Sequence, residues 1–260
     1  MARSLIGGLL ARGAAAGDIR VSEPVDALRE ALARDFGVAV SADNAQAVAG
    51  AGVWVLAVKP QVMRQVCEAL APLAQAERPL VVSIAAGITA AQLARWLGGG
   101  VAVVRTMPNT PALLGAGVTG LFATDEVDAN GREQAANLLA SAGKTVWIED
   151  EAQMDAVTAA SGSGPAYIFL LAEAMEAAAV AQGLPAEAAA TLVRETVLGA
   201  ARMLTESGED PAELRRRVTS PGGTTQAAVE TFEAGGFRAL VGDAIAAATE
   251  RGRQLSAAND

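Results

Sequence analysis

The stretch from Val218 to Phe237 reads VTSPGGTTQAAVETFEAGGF, and its residue types are the ones in this chain best suited to chemistry. Pro221 fixes one backbone angle, and Gly222 and Gly223 reach conformations closed to other residues. Thr224 and Thr225 then open an apolar-periodic run, Ala227, Ala228 and Phe232, that stops at Gly235-Gly236. A Gly-Gly-Thr-Thr turn feeding a helix leaves backbone N–H groups unpaired and adds two hydroxyls. Such a nest suits a carboxylate or a phosphate. The same residues also suit a capped turn between two helices, where Thr is an ordinary N-cap. Local sequence leaves both readings open.

Other chemistry is narrowed by what the chain holds. It has no histidine, which removes His-based triads, His metal sites and His general acids. A cofactor, a hydroxyl, an amine, a carboxylate or water must serve instead. The single cysteine, Cys67, lies in a helical apolar pattern with Met63, Val66 and Leu70 and is expected to be buried structure. One cysteine allows no internal disulfide and points to a reducing, cytoplasmic setting. A net charge of −9 without a long basic run argues against nucleic acid as a partner. Charge or glycine is expected to interrupt each apolar stretch before the ~20 residues of a membrane span, and Met1-Ala-Arg-Ser-Leu reads as a helix without a signal-peptide cleavage site. Apolar residues make up 52% and aromatics only 3%, so Ala, Val and Leu must build the interior.

The elements that would position these residues follow from periodicity. Helices are predicted over 2–12 and 25–36, with Gly13 and Gly37 as stops, and short strands over 18–22 and 38–41. Asp43 or Asn44 caps a short helix. Val53 to Val58 and Leu80 to Ala85 are continuous apolar runs, the mark of strands buried on both faces. Helices 61–74, 89–97 and 130–142 alternate with later strands at 101–106, 117–122 and 144–148. This is an α/β pattern with a mostly parallel sheet. After Glu151 the pattern is helical only, with a stripe at Ile168, Leu171, Ala172 and Met175. A dinucleotide-type domain over 1–155 and a helical domain over 156–260 are expected, with a frayed polar tail after Leu255.

An open parallel sheet takes ligands at the carboxyl ends of its strands. Ala57-Val58-Lys59-Pro60 and Ala85-Ala86-Gly87 stand there, with small side chains and open backbone where a flat nicotinamide dinucleotide could lie. Ordinary strand-end turns would look the same. The strand at 18–22 ends in Ser22-Glu23, where an acid commonly binds the ribose hydroxyls of NAD and repels the extra phosphate of NADP.

The motifs AVKP at Ala57 to Pro60, AAG at Ala85 to Gly87, RTMPNTP at Arg105 to Pro111, SGSGPAY at Ser161 to Tyr167 and SPGGTT at Ser220 to Thr225 resemble, in order and spacing, those of the pyrroline-5-carboxylate reductases. The resemblance implies a Rossmann-like doubly wound sheet followed by an all-helical dimerisation domain, with dimers gathering into rings. By position Asn44, Ala57, Val58, Lys59, Pro60, Ala85, Ala86 and Gly87 match cofactor contacts. Glu151, Thr224 and Thr225 match substrate contacts, and Ser220, Gly222 and Gly223 share the loop. It also implies hydride transfer from NADPH, with NADH as a competitor, to the C=N carbon of 1-pyrroline-5-carboxylate, giving L-proline. Thr225 would polarise the imine nitrogen, and Arg217 would offset the charge of Glu23 if it reaches the cofactor.

Two other readings are a dehydrogenase of small hydroxy or keto acids and a non-catalytic nucleotide-binding relative. The first usually relies on a Lys or His in the helical domain, and neither occurs after Lys144. The helix at Met1-Ala-Arg-Ser-Leu-Ile-Gly-Gly resembles the stretch that follows the family's glycine-rich turn, so a strand and such a turn are expected upstream of Met1.

Overall fold

The computed structural model describes residues 1–259. Helix α1 (Ala2–Ala11) and a single 3₁₀ turn lead into β1 (Arg20–Ser22), α2 (Asp26–Phe36) and β2 (Ala39–Ser41). Gly37 ends α2 in the left-handed region at φ 67°, as its place after the apolar run requires. Next come α3 (Asn44–Val48), capped by the Asp43 carboxylate, β3 (Val53–Leu56) and α4 (Pro60–Glu77), with Pro60 in the first turn. Strand β4 (Leu80–Ser83) precedes α5 (Ala90–Trp96), which opens on a reciprocal cap between Thr89 and Gln92. The α/β part closes with β5 (Val103–Met107), β6 (Gly117–Ala123), α6 (Ala129–Ala140) and β7 (Gly143–Trp147).

Strands β1 and β2 pair in parallel as one sheet, and β3-β4-β5-β6-β7 form a second. Only β5 and β6 run antiparallel. Successive strand residues point to opposite faces, so Val81 and Val103 join one apolar cluster with Trp54, Met63 and Leu93, under α4 and α5. Val82 and Val104 join another with Leu5, Leu121 and Leu139, under α1 and α6. Each such buried side chain contributes about 1.5–3 kcal/mol. Ile6, the next residue of α1, packs instead with Leu32 and Val38 against the two-stranded sheet, so α1 serves both. Gly8 lets α1 press on the end of α6: a Cβ there would lie 2.2 Å from Ser141 O.

One expectation for the sheet needs correcting. The run Val53 to Val58 is not buried throughout: β3 is an edge strand, and Val55 is 38% exposed. Strand β4 sits inside the sheet, and all four of its residues are buried.

Beyond β7 come α7 (Met154–Val157), a π-helical turn at Thr158–Gly162, α8 (Gly164–Ala181), α9 (Ala186–Glu206), α10 (Pro211–Arg217), α11 (Thr224–Ala234) and α12 (Phe237–Ala258). The chain divides into two compact units, Met1–Ser163 together with the segment from Ala247 onward, and Gly164–Ala246. The division therefore falls later than residue 155, and the end of the chain belongs to the first unit. Where a frayed tail was expected after Leu255, α12 continues to Ala258. In the second unit α8 packs along α9, joined by the Arg194–Glu176 ion pair at 2.9 Å. No residue of α8 is buried, and the expected stripe at Ile168, Leu171, Ala172 and Met175 is only partly covered within this unit. The helical stretch Glu151–Ala181 is long and apolar enough to cross a membrane by length and composition, which corrects the expectation that every apolar run is interrupted.

Candidate functional site

The residues expected to meet a cofactor lie immediately past the carboxyl ends of parallel strands. Ala57 to Pro60 follow β3, with Ala57 and Lys59 exposed and Lys59 at the N-cap of α4. Ala85 to Gly87 follow β4, and Ala86 is exposed while Gly87 takes φ 71°. The end of β4 is held firmly, because Thr106 Oγ1 donates to Ser83 O at 2.8 Å and Ala85 N–H donates to Ser83 Oγ at 3.3 Å. Asn44 is the first residue of α3, which packs against β1, β2 and α4. At the end of β1, Ser22 Oγ is buried with no hydrogen-bond partner among the described residues, an orphan polar atom that a ligand hydroxyl or phosphate would satisfy. Glu23 Oε1 accepts from Val25 N–H at 3.0 Å, and Arg29 Nη1 donates to Glu23 O at 2.9 Å. The carboxylate therefore caps the start of α2, with a guanidinium beside its backbone. Open backbone, small exposed side chains and the orphan hydroxyl fit a dinucleotide.

Glu151 belongs to the same unit. Its Oε1 accepts from Arg105 Nη1 at 2.9 Å and from Ala90 N–H, at the start of α5, at 2.6 Å. Arg105 is only 4% exposed, and its other terminal nitrogen lies 3.9 Å from Asp155 Oδ1. Sequence reasoning assigned no role to Arg105 or Asp155. The signal was there in Arg105, a lone charge in the apolar strand VVRTM, which a core tolerates only with a partner.

The SPGGTT loop lies in the second unit. Gly222 takes φ 72°, and Gly223 is the N-cap of α11 without a side-chain cap. Gly223 N–H donates to Ser220 O at 3.0 Å, and Gly222 N–H to Gln226 Oε1 at 2.7 Å. The N–H groups of Thr224, Thr225 and Gln226 find no acceptor among the described residues. Thr191, Thr196, Thr205, Thr219 and Thr231 all turn their hydroxyls back onto the carbonyl four residues earlier. The hydroxyls of Thr224 and Thr225 bond nothing among the described residues, because the chain four residues back is the Ser220-Pro221 loop and not a helix. Two hydroxyls and three N–H groups thus stand open at one helix N-terminus, beside the exposed Ser220. Nearby, Arg217 is hydrogen-bonded to Glu209, which raises its guanidinium above the ordinary value, and Arg216 holds the Glu213 carboxyl below its own. Arg217 is therefore already paired within this unit. An apolar groove of about 570 Å³ lies between Leu171, Met175, Val229, Phe232, Phe237 and Val241.

A parallel-dominated α/β unit with open strand ends, followed by a helical unit carrying a bare apolar surface, is the architecture of a two-domain α/β protein with a dinucleotide-type domain. Residues 1–87 match the family described as NADP oxidoreductase coenzyme F420-dependent, and residues 151–255 match pyrroline-5-carboxylate reductase dimerisation. A pyrroline-5-carboxylate reductase of Pseudomonas aeruginosa is 54% identical over 98% of this chain and 93% of its own. The solved structure of one from Coxiella burnetii superposes with a TM-score of 0.95 at 41% identity, covering 98% of this chain and 94% of that one. That of the Plasmodium falciparum pyrroline carboxylate reductase, with NADP bound, gives 0.84 at 26% identity, covering 98% and 94%. The chain belongs to the pyrroline-5-carboxylate reductase family.

Proposed function

We propose that this protein reduces 1-pyrroline-5-carboxylate to L-proline with NADPH, the last step of proline synthesis. The observation that carries this reading, within that family, is the open N-terminus of α11 with its two unbonded threonine hydroxyls. The N–H groups of Thr224, Thr225 and Gln226, with Ser220, Gly222 and Gly223 shaping the loop, hold the substrate carboxylate. Thr225 Oγ donates a hydrogen bond to the imine nitrogen and so polarises the C=N bond. A hydroxyl is too weak an acid to do more, and most of the rate comes from positioning. The bound cofactor supplies the hydride. Glu151 keeps its second carboxylate oxygen open, its first being engaged by Arg105 and Ala90. Asn44, the strand-end turns at Ala57–Pro60 and Ala85–Gly87, and Ser22 receive the cofactor, with NADH as a poorer competitor. Oxidation of NADPH, followed at the nicotinamide absorbance with pyrroline carboxylate added, tests the reading. Cofactor binding without turnover would refute it.

The chain carries a self-association domain. The exposed apolar side chains of α8, among them Phe169 and Leu170, and the groove beside Phe232 support a homodimer built through the second unit, with dimers joining into a ring. Light scattering on the purified protein tests both levels, and a monomer would overturn them. The same use accounts for the membrane-length apolar helix without a bilayer. A buried, unpaired Cys67 fits the reducing cytoplasm, which cell fractionation checks.

A further inference from the structure

The last turns of α12 lie against the β4–α5 turn, far away in sequence. Gly252 packs on Asp155, so closely that a Cβ there would sit 2.9 Å from Asp155 Oδ1. One turn later Leu255 covers Gly87, whose own added Cβ would lie 3.3 Å from Leu255 Cβ. Gln92 Nε2 donates to Ser256 O at 3.1 Å, while its Oε1 accepts from Thr89 N–H at 2.8 Å within the α5 cap. Finally Asn259 Nδ2 donates to Gly87 O at 2.9 Å and to Leu255 O at 2.9 Å, so one amide both closes the helix and holds the turn. Gly87 has φ 71°. A glycine in this region can flip its neighbouring peptides at small cost, and an amide fixed on its carbonyl selects one orientation.

The geometry points to Asn259, backed by Leu255, as a positioning residue that presets the Ala86-Gly87 turn for the cofactor. This rests on the proposed reading that the turn meets the cofactor. The arrangement explains why a polar end of the chain is ordered against an otherwise small, glycine-containing turn. It also assigns the turn's shape to residues more than one hundred and sixty positions away. Asn259 touches neither substrate nor cofactor in this scheme and acts through the Gly87 carbonyl alone.

Asn259→Ala in the full-length protein is the test, with NADPH Kd measured by fluorescence titration and both KM values, kcat and Tm measured alongside. The expected result is a roughly three- to tenfold rise in Kd and KM for NADPH, the loss of one hydrogen bond. At saturating NADPH, kcat and the KM for pyrroline carboxylate stay within about twofold of the parent, as lost uniform binding requires. Ala86→Trp, at an exposed position, reports on the turn itself and weakens NADPH binding if the turn meets the cofactor. If Ala86→Trp weakens binding and Asn259→Ala does not, the positioning role is wrong and the cofactor reading stands. If neither changes Kd, the cofactor reading of the turn falls and takes the positioning role with it. A loss of Tm and kcat in Asn259→Ala without a change in NADPH Kd shows a merely structural contact and overturns the inference.

Discussion

Replacing Arg105 by Met tests how the first unit holds Glu151 and the start of α5. Arg105 is 4% exposed and faces two carboxylates that are themselves mostly covered, Glu151 at 22% and Asp155 at 14%. Methionine fills much of the space but leaves both carboxylates without their cation. Breaking a buried pair from one side costs about 3–5 kcal/mol, because the remaining charge is stranded. Glu151→Gln is milder: the amide oxygen can still accept from Ala90 N–H, and Arg105 keeps Asp155, so roughly 1–2 kcal/mol is expected. The triple change Arg105→Met, Glu151→Gln, Asp155→Asn removes the stranded charges, and its cost falls below that of Arg105→Met alone. Urea unfolding monitored by circular dichroism gives all three values from the same m-value. An Arg105→Met loss under about 1 kcal/mol, or a triple variant less stable than the single one, would refute the argument from stranded charge. Glu151→Gln adds a functional readout. If its free oxygen meets the substrate, KM for pyrroline carboxylate rises while NADPH Kd stays put.

Three further outcomes are expected. Thr225→Ala lowers turnover by roughly 1–3 kcal/mol of transition-state stabilisation with NADPH Kd nearly unchanged, and wild-type kcat in that variant removes Thr225 from the mechanism. Glu23→Ser raises kcat/KM for NADPH relative to NADH by about fivefold, roughly 1 kcal/mol for one charge near the cofactor phosphate in wet surroundings; an unmoved ratio means that the carboxylate capping Val25 does not sense the phosphate. Burial, with Glu68 adding to it, pushes the Cys67 thiol up to about 12, so it stays protonated at neutral pH. Thiol reagents at pH 8 should label it only after unfolding, and rapid labelling of the native protein contradicts the burial.

Local rules carried much of this protein in its sequence. Gly37 stops α2, Pro60 opens α4 and Thr89 with Gln92 caps α5, and each acts within one turn of itself. Continuous apolar runs marked strands and 3.6-residue periods marked helices, and the GGTT pattern marked the start of α11. Other features depended on partners the periodicity does not name. Val53 to Leu56 and Leu80 to Ser83 are equally apolar runs, yet one is a half-exposed edge and the other is buried, because strand order decides which has two neighbours. The stripe on α8 was readable, but its own unit leaves every residue of α8 at least partly exposed, since an apolar face states a need for burial and not the surface that meets it. Glu151 stood out by resemblance, whereas its tie to Arg105 and to the first N–H of α5 arises from three separate elements. Asn259, an unremarkable residue in a polar tail, reaches the Gly87 carbonyl only because α12 returns to the first unit. Short-range sterics and hydrogen bonding write element type into neighbouring residues, while pairing across the chain exists only once the chain has folded.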